Sequence, residues 1–316
     1  MEPIGGYFSL ELPYYGEFHK DAIRLNTGRN CLEYILRVRQ FSKVFIPYYT
    51  CDTVLEPFHR LGIPYEFYPI NDHLELSHEI ALEAGEALLY TNYFGLKQRY
   101  TETLAKQYGG RLIVDNTQAF YAKPIEGIDS FYTCRKFFGV PDGAYLYTDK
   151  TLDEVFVQDL SVERMSSLIK RIDISPEAGF QDFRNTRRSL IGQPIKGMSK
   201  LTHRMMMGID YEAIARKRRL NFEILHQSLG SKNRLELPLE EDAVPMVYPY
   251  WGHVQDIRET LIENKVYVAQ YWPNVLEWTN PDTIDYQLAS QMQPLPIDQR
   301  YGKDEMRTII SIINNA

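Results

Sequence analysis

Leu112-Ile113-Val114-Asp115-Asn116-Thr117-Gln118-Ala119 and Ser130-Phe131-Tyr132-Thr133-Cys134-Arg135-Lys136 are the two stretches that decide how this chain reads. In each, a short run of large apolar residues stops at a polar one. Neither run alternates apolar with polar, so each reads as a strand buried on both faces. Working outward, runs of the same kind occur at Lys43–Tyr49, Tyr65–Ile70, Ala87–Tyr93, Arg111–Val114, Ser130–Thr133 and Ala144–Tyr147. Helical patterns separate them, at Cys31–Phe41, Thr53–Leu61 and Thr101–Gln107, the last closed by Gly109-Gly110. A β-α-β succession of this kind predicts an α/β fold, a largely parallel sheet covered by helices.

Beyond Asp149 the pattern changes. Residues 151–170 and 198–229 read mainly as helices, Tyr211–Leu229 most clearly, with Ile214, Leu220, Ile224 and Leu225 as its apolar set. From 230 to 316 short strands precede a terminal helix at Lys303–Asn314, the signature of a smaller α+β unit. The expected division is a large domain at 1–209 and a small one at 210–316.

The 316 residues are 44% hydrophobic and 24% charged, an ordinary globular balance, and the net charge is −7. The short basic run Arg216-Lys217-Arg218-Arg219 reads as a solvated helix face, so nucleic acid is not an expected partner. Three dispersed cysteines, Cys31, Cys51 and Cys134, fit reduced thiols in the cytoplasm better than a disulfide framework. Met1-Glu2-Pro3-Ile4 has no signal-peptide character, no apolar run approaches a membrane span, and the scattered histidines give no metal pattern, so neither membrane nor metal is expected.

Sheets of this class bind ligands at the carboxyl ends of their strands, which is where Asp115 and Lys136 fall. Ahead of the helix at 31–41 stands Asn26-Thr27-Gly28-Arg29-Asn30, a natural seat for a phosphate. Taken singly, each is more often ordinary: a strand-end Asp is a turn residue, Asn-Thr-Gly a helix cap, a lone Lys a solvated loop residue. In this order, phosphate seat, then acid, then lysine, they are what pyridoxal 5'-phosphate (PLP) requires. A lysine amine forms an imine with the cofactor, and an acid protonates the ring nitrogen so that the ring draws electrons.

Over nearly its whole length the chain resembles the DegT/DnrJ/EryC1/StrS family, the sugar aminotransferases of PLP fold type I. The similarity is carried by Val44-Phe45-Ile46-Pro47, by Leu112–Ala119, by Ser130-Phe131 through Lys136 to Asp142-Gly143, and by Leu295-Pro296-Ile297. The resemblance implies a mostly parallel seven-stranded sheet and a homodimer. It makes Lys136 and Asp115 catalytic, the first as imine and proton carrier, the second as ring-nitrogen partner. It places Gln118 beside the ring, and Thr27, Gly28, Arg29 and Ser130 at the phosphate, with Thr133 as rival to Ser130. Cys51 falls where the family often stacks an aromatic on the ring, with Tyr49 as a neighbouring substitute. The family's Asn and Arg that reach the partner's site are missing from Gly192–Ser199.

The function expected is amino transfer from Glu or Gln to a keto sugar, a nucleotide-linked one by the resemblance. The same residues would serve a PLP-dependent lyase, and a non-catalytic binding protein that keeps the fold is the reading from another class. Aromatic and amide clusters at Asn92–Phe94, Tyr248–Trp251 and Gln270–Asn274 are the expected sugar contacts. Apolar Pro3–Phe8 and the loop 192–199 are the expected interface elements.

Overall fold

The computed structural model describes residues 4–236, 238–252 and 257–316; Met1, Glu2 and Pro3 lie outside the described residues. In chain order the main elements are β1 (Ile23–Leu25), α1 (Gly28–Arg39), β2 (Lys43–Pro47), α2 (Leu55–Leu61), β3 (Tyr65–Tyr68), β4 (Glu86–Thr91), α3 (Gln98–Tyr108), β5 (Leu112–Asp115), β6 (Asp129–Thr133) and β7 (Ala144–Tyr147). They continue with α4 (Ser166–Asp173), α5 (Pro176–Ser189), α6 (Lys200–Met207), α7 (Tyr211–Leu229), β8 (Tyr248–Tyr250), α8 (Ile257–Glu263), α9 (Val275–Trp278), α10 (Ile284–Gln291), β9 (Gln293–Leu295) and α11 (Lys303–Asn315).

Seven strands form one sheet in the order β1-β7-β6-β5-β4-β2-β3. Strands β2 to β6 run parallel, and β7 is antiparallel to both β6 and β1. Each of the six expected strands is present. The seventh, β1, is too short at three residues to carry a pattern. Both faces of the sheet are buried. Leu88, Tyr90, Leu112 and Val114 point into one core, and Ala87, Leu89, Ile113 and Phe131 into the other, beneath Leu32, Ile35 and Leu36 of α1. Burial on both sides is why the strand sequences do not alternate. The first core continues through Phe222, Leu225 and Trp251 to Met306, Ile309 and Ile313, so α7 and α11 pack on the same apolar mass.

Several expectations fail. Residues 151–161 are irregular rather than helical, and Gln158 bridges Gly197. Helix α5 was not expected, although Ser175 caps it by accepting from the Ala178 amide and Pro176 opens it. In α7 the buried set is Arg218, Asn221, Phe222, Leu225 and Leu229, and Leu220 is exposed. The basic run is therefore not uniformly solvated. Arg218 is fully buried, donating to the Met246 carbonyl at 2.9 Å and the Phe137 carbonyl at 3.3 Å, with its guanidinium 4.6 Å from the Phe137 ring centre.

Candidate active site

The carboxyl ends of β5 and β6 meet the start of α1. Asp115 ends β5 in register with Phe131 of β6 and is buried. Its Oδ1 accepts from the Thr117 amide at 2.8 Å. After β6 the chain turns tightly: the amides of Phe137 and Phe138 both donate to the Cys134 carbonyl, which leaves Lys136 at the tip. Lys136 opens onto the crevice and donates from Nζ to Thr117 Oγ1 at 2.9 Å. Thr117 thus bridges the acid and the lysine.

The phosphate seat joins them through backbone bonds. The Cys134 amide donates to the Gly143 carbonyl, and the Gly143 amide to the Asn26 carbonyl, so the residues before α1 lie against those before Lys136. Gly143 holds φ +103°, and a Cβ there would meet Thr202 at 2.8 Å, so both conformation and space call for glycine. Asp142 beside it is fully buried and accepts from the Ser199 amide, the Ser199 hydroxyl and the Thr202 hydroxyl, fixing this turn to α6. Gly28 packs so closely that an added Cβ would stand 3.2 Å from Thr117 Cγ2. Thr27 caps α1, accepting from the Asn30 amide at 3.2 Å, and no acid occupies the helix's first turn.

Electrostatics follow from burial. Desolvation raises the Asp115 carboxyl above its ordinary range, and the Lys136 ammonium pulls it back. Although Lys136 reaches solvent, protein atoms crowd its amine; that desolvation lowers its pKa, and the charge of Asp115 opposes the shift. A lowered pKa keeps more of the amine neutral and nucleophilic near neutrality. Gln118 is fully buried; its Oε1 accepts from the Phe94 amide at 2.9 Å while its Nε2 has no partner. Tyr49 is also buried, with an unpartnered hydroxyl.

Thr27, Gly28, Asp115, Thr117 and Lys136 therefore converge. Cys51 stands close enough for its thiol to act on the charge of Lys136, and Tyr271 is a further neighbour of that thiol. Two candidates lie elsewhere. The Ser130 side chain is on the sheet face opposite Phe131, the residue that meets Gly28, because successive residues of a strand point to opposite faces. Ser130 also precedes the strand's carboxyl end, where Thr133 sits. Arg29 turns its guanidinium to Glu56 and to the Leu190 carbonyl, 2.7 Å away, which leaves only its backbone at the helix opening.

Other expected contacts are structural. Tyr93, Phe94, Tyr248, Tyr250 and Trp251 are buried in the core, and the Trp251 indole donates to Gln291. The loop 192–199 folds back on its own chain: Asn30 and Arg60 both bind the Gln193 carbonyl, and Ile195, Met198 and Ser199 are buried. Its apolar side chains find a core at home, so it does not extend as an arm.

Sequence reasoning passed over Arg135, Arg187 and Arg218. A second cation directly before Lys136 was a visible signal; Arg187 lies exposed on α5, a helix the sequence did not mark, and Arg218 on a buried face of α7 that it did not mark. An open cavity of about 600 Å³ lies between residues 157–166 and α5. Its cations Arg164 and Lys196 are already held by Asp159. Among the described residues, no His/Cys/Asp/Glu group could hold a metal ion, and no helix is long and apolar enough to cross a membrane.

The seven-stranded sheet, with β7 reversed, and the short second sheet make up a fold found in solved aminotransferases. Comparison with solved structures agrees. A putative sugar aminotransferase, Spr1654 from Streptococcus pneumoniae, aligns with TM-score 0.65 at 12% identity over 96% of this chain and 92% of that one. TlmJ, an aminotransferase from Streptoalloteichus hindustanus, gives 0.64 at 14% identity over 93% and 85%. A DegT/DnrJ/EryC1/StrS aminotransferase from Brucella abortus gives 0.61 at 14% over 93% and 85%. No family model matches the sequence, and no curated protein does.

Proposed function

We propose that this chain is a PLP-dependent aminotransferase that moves an amino group from glutamate or glutamine to a keto sugar, nucleotide-linked. The observation that carries the proposal is the bridge Asp115–Thr117–Lys136 set against the opening of α1. The residues fit the cofactor on independent grounds. The buried Gln118 Nε2 lacks an acceptor, the buried Asp115 carboxylate has one cation near it, and the α1 opening has no anion of its own. The sugar aminotransferases of the same fold support the substrate class.

PLP bound here would supply an electron sink for the pair left when the donor's Cα–H bond breaks. Asp115 would hold a proton on the ring nitrogen; its burial concentrates its field on that one partner. Lys136 would hold the cofactor through Nζ and, when released from it, carry the proton from the donor carbon. Thr117 orients both groups through its amide and hydroxyl. The amides at the start of α1 would face the phosphate, and Gln118 Nε2 would donate to a ring oxygen.

The working form we propose is a cytoplasmic homodimer, with residues 1–209 holding the cofactor and 210–316 as the smaller part. Exposed Ile4, Tyr7 and Phe8 and the apolar surface of α4 and α5 would meet the second copy. The test is an absorbance titration of the PLP-loaded protein with L-glutamate and L-glutamine. A panel of free and nucleotide-linked keto sugars against pyruvate and oxaloacetate follows, with light scattering for the dimer. Conversion of the visible band by a donor, then its recovery with a keto sugar, supports the proposal. Recovery by small keto acids alone removes the sugar; elimination products without amino transfer point to a lyase.

A further inference from the structure

Five basic side chains stand around the opening of α1 and the tip at Lys136, and three are committed. Arg29 is held by Glu56 and the Leu190 carbonyl, Arg164 by Asp159, and Lys196 by Asp159 and Gln193. Among the described residues, Arg135 and Arg187 have neither a carboxylate at pairing distance nor a hydrogen-bond acceptor.

Their placement follows from the backbone. Arg135 lies between Cys134, whose amide is tied through Gly143 to Asn26, and Lys136. It therefore stands at the opening of α1. Arg187 lies in the last turn of α5, one turn before Leu190, and Arg29 in the first turn of α1 bonds the Leu190 carbonyl. The two helix ends are locked together, and Arg187 stands on the exposed side of the α5 turn that leads into them.

A guanidinium so placed needs an anion. Burial lowers Arg135 to about 10, and the charges of Arg164 and Arg29 push the same way, ahead of a weaker opposite pull from Asp142. Asp142 is already engaged by Ser199 and Thr202. Arg187 adds repulsion to Arg135 and acts on Lys136 as well. Like charges held together in this way are costly unless an opposite charge compensates them, which a bound anion would do. A doubly charged phosphate monoester suits two guanidinium forks and the free amides of a 12-residue helix better than a single carboxylate does.

We infer that Arg135, backed by Arg187, is the seat of the cofactor's phosphate, so that this chain supplies the counter-charge itself from the residue preceding its own lysine. The inference rests on the PLP reading above. Arg135 is a binding residue in this account; Arg187 closes the seat from the solvent side.

The test measures equilibrium binding of PLP, of pyridoxal without phosphate, and of inorganic phosphate to the full-length wild type and to Arg135→Gln, Arg135→Lys and Arg187→Gln. Circular dichroism checks each fold, and Arg187→Gln sits on an exposed helix face, where folding is not at stake. Losing a charge-assisted pair costs about 10- to 100-fold in PLP affinity for Arg135→Gln, with Arg187→Gln smaller and Arg135→Lys between. Pyridoxal affinity should stay within about twofold, and inorganic phosphate should displace PLP from the wild type. Equal weakening of PLP and pyridoxal, or unchanged PLP affinity in both glutamine variants, overturns the seat. If the wild type takes up neither PLP nor pyridoxal, the functional reading fails by itself and phosphate alone decides. Phosphate that raises the melting temperature of the wild type but not of Arg135→Gln keeps the seat; an equal rise in both removes it.

Discussion

The sheet with its covering helices, residues 22–147, and the stretch from 151 to 191 differ in how they finish their apolar surfaces. In the first, Leu88, Leu89, Tyr90 and Ile113 are fully buried. In the second, Val155 is 100% exposed, Leu160 83% and Ile172 85%, and Phe180 and Phe183 of α5 also face out. One region closes on itself and brings Asp115, Thr117 and Lys136 together. The other has apolar groups with nothing over them, which is the surface we propose a second copy covers.

The largest effect to seek breaks the self-contained region at its centre. Lys136→Ala should cut amino transfer by about 10,000-fold and abolish pyridoxyl labelling after borohydride reduction. Peptide mass mapping reads the label; finding it on another lysine ends the assignment. Next, Asp115→Asn should lower turnover by roughly 100- to 1,000-fold while PLP remains bound, because an amide can hydrogen-bond but cannot supply charge. Wild-type turnover in that variant would leave Asp115 a structural acid.

The same contrast governs what the sequence made legible. Asp115, Lys136 and Thr27 stood out because each punctuates a buried strand or opens a helix, and buried strands are written in unbroken apolar runs. Helix α5 stayed hidden because its apolar residues Phe180 and Phe183 face solvent, so its sequence carries no core-facing stripe. Residues 151–161 were misread as helix for lack of a core to set their period. Arg218 looked like one more surface charge, since its burial depends on backbone carbonyls at Phe137 and Met246 far away in sequence. Ser130 failed by parity, on the far side of the sheet from Gly28.

A third measurement sharpens the closed region by pH. His19 is buried among Phe120, Tyr132 and Tyr145, bonds the Phe120 carbonyl at 2.7 Å, and is held down by desolvation from 6.5 to about 4. Its folded pKa lies below its unfolded one, so its contribution is full above pH 6.5 and is lost as pH falls toward 4. The size is on the order of 3 kcal/mol. Asp285 runs the other way. Burial raises it to about 6, so its contribution is full below the ordinary carboxylate pKa and is lost as pH rises through 6. The clean quantity is therefore wild type minus His19→Gln, from urea unfolding at pH 7.5 and 4.5. A difference that does not change with pH would mean that His19 is not held neutral.

The smallest effect sets the two regions directly against each other. Leu89→Ala removes a fully buried side chain from the sheet and should cost about 2–5 kcal/mol, since a tightly packed core relaxes only partly around the space left. Phe183→Ser removes a larger side chain, but one that is 49% exposed on α5, so the folding stability of the isolated chain should move by only about 0.5 kcal/mol or less. Its consequence belongs to association instead. If a second copy covers α5, sedimentation or light scattering should show Phe183→Ser dissociating at concentrations where the wild type and Leu89→Ala remain dimeric. Denaturant unfolding at protein concentrations below the dissociation point isolates the monomer term. A cost at Phe183 as large as at Leu89 under those conditions would mean that α5 is packed within its own chain in solution, and the distinction between the two regions would fall.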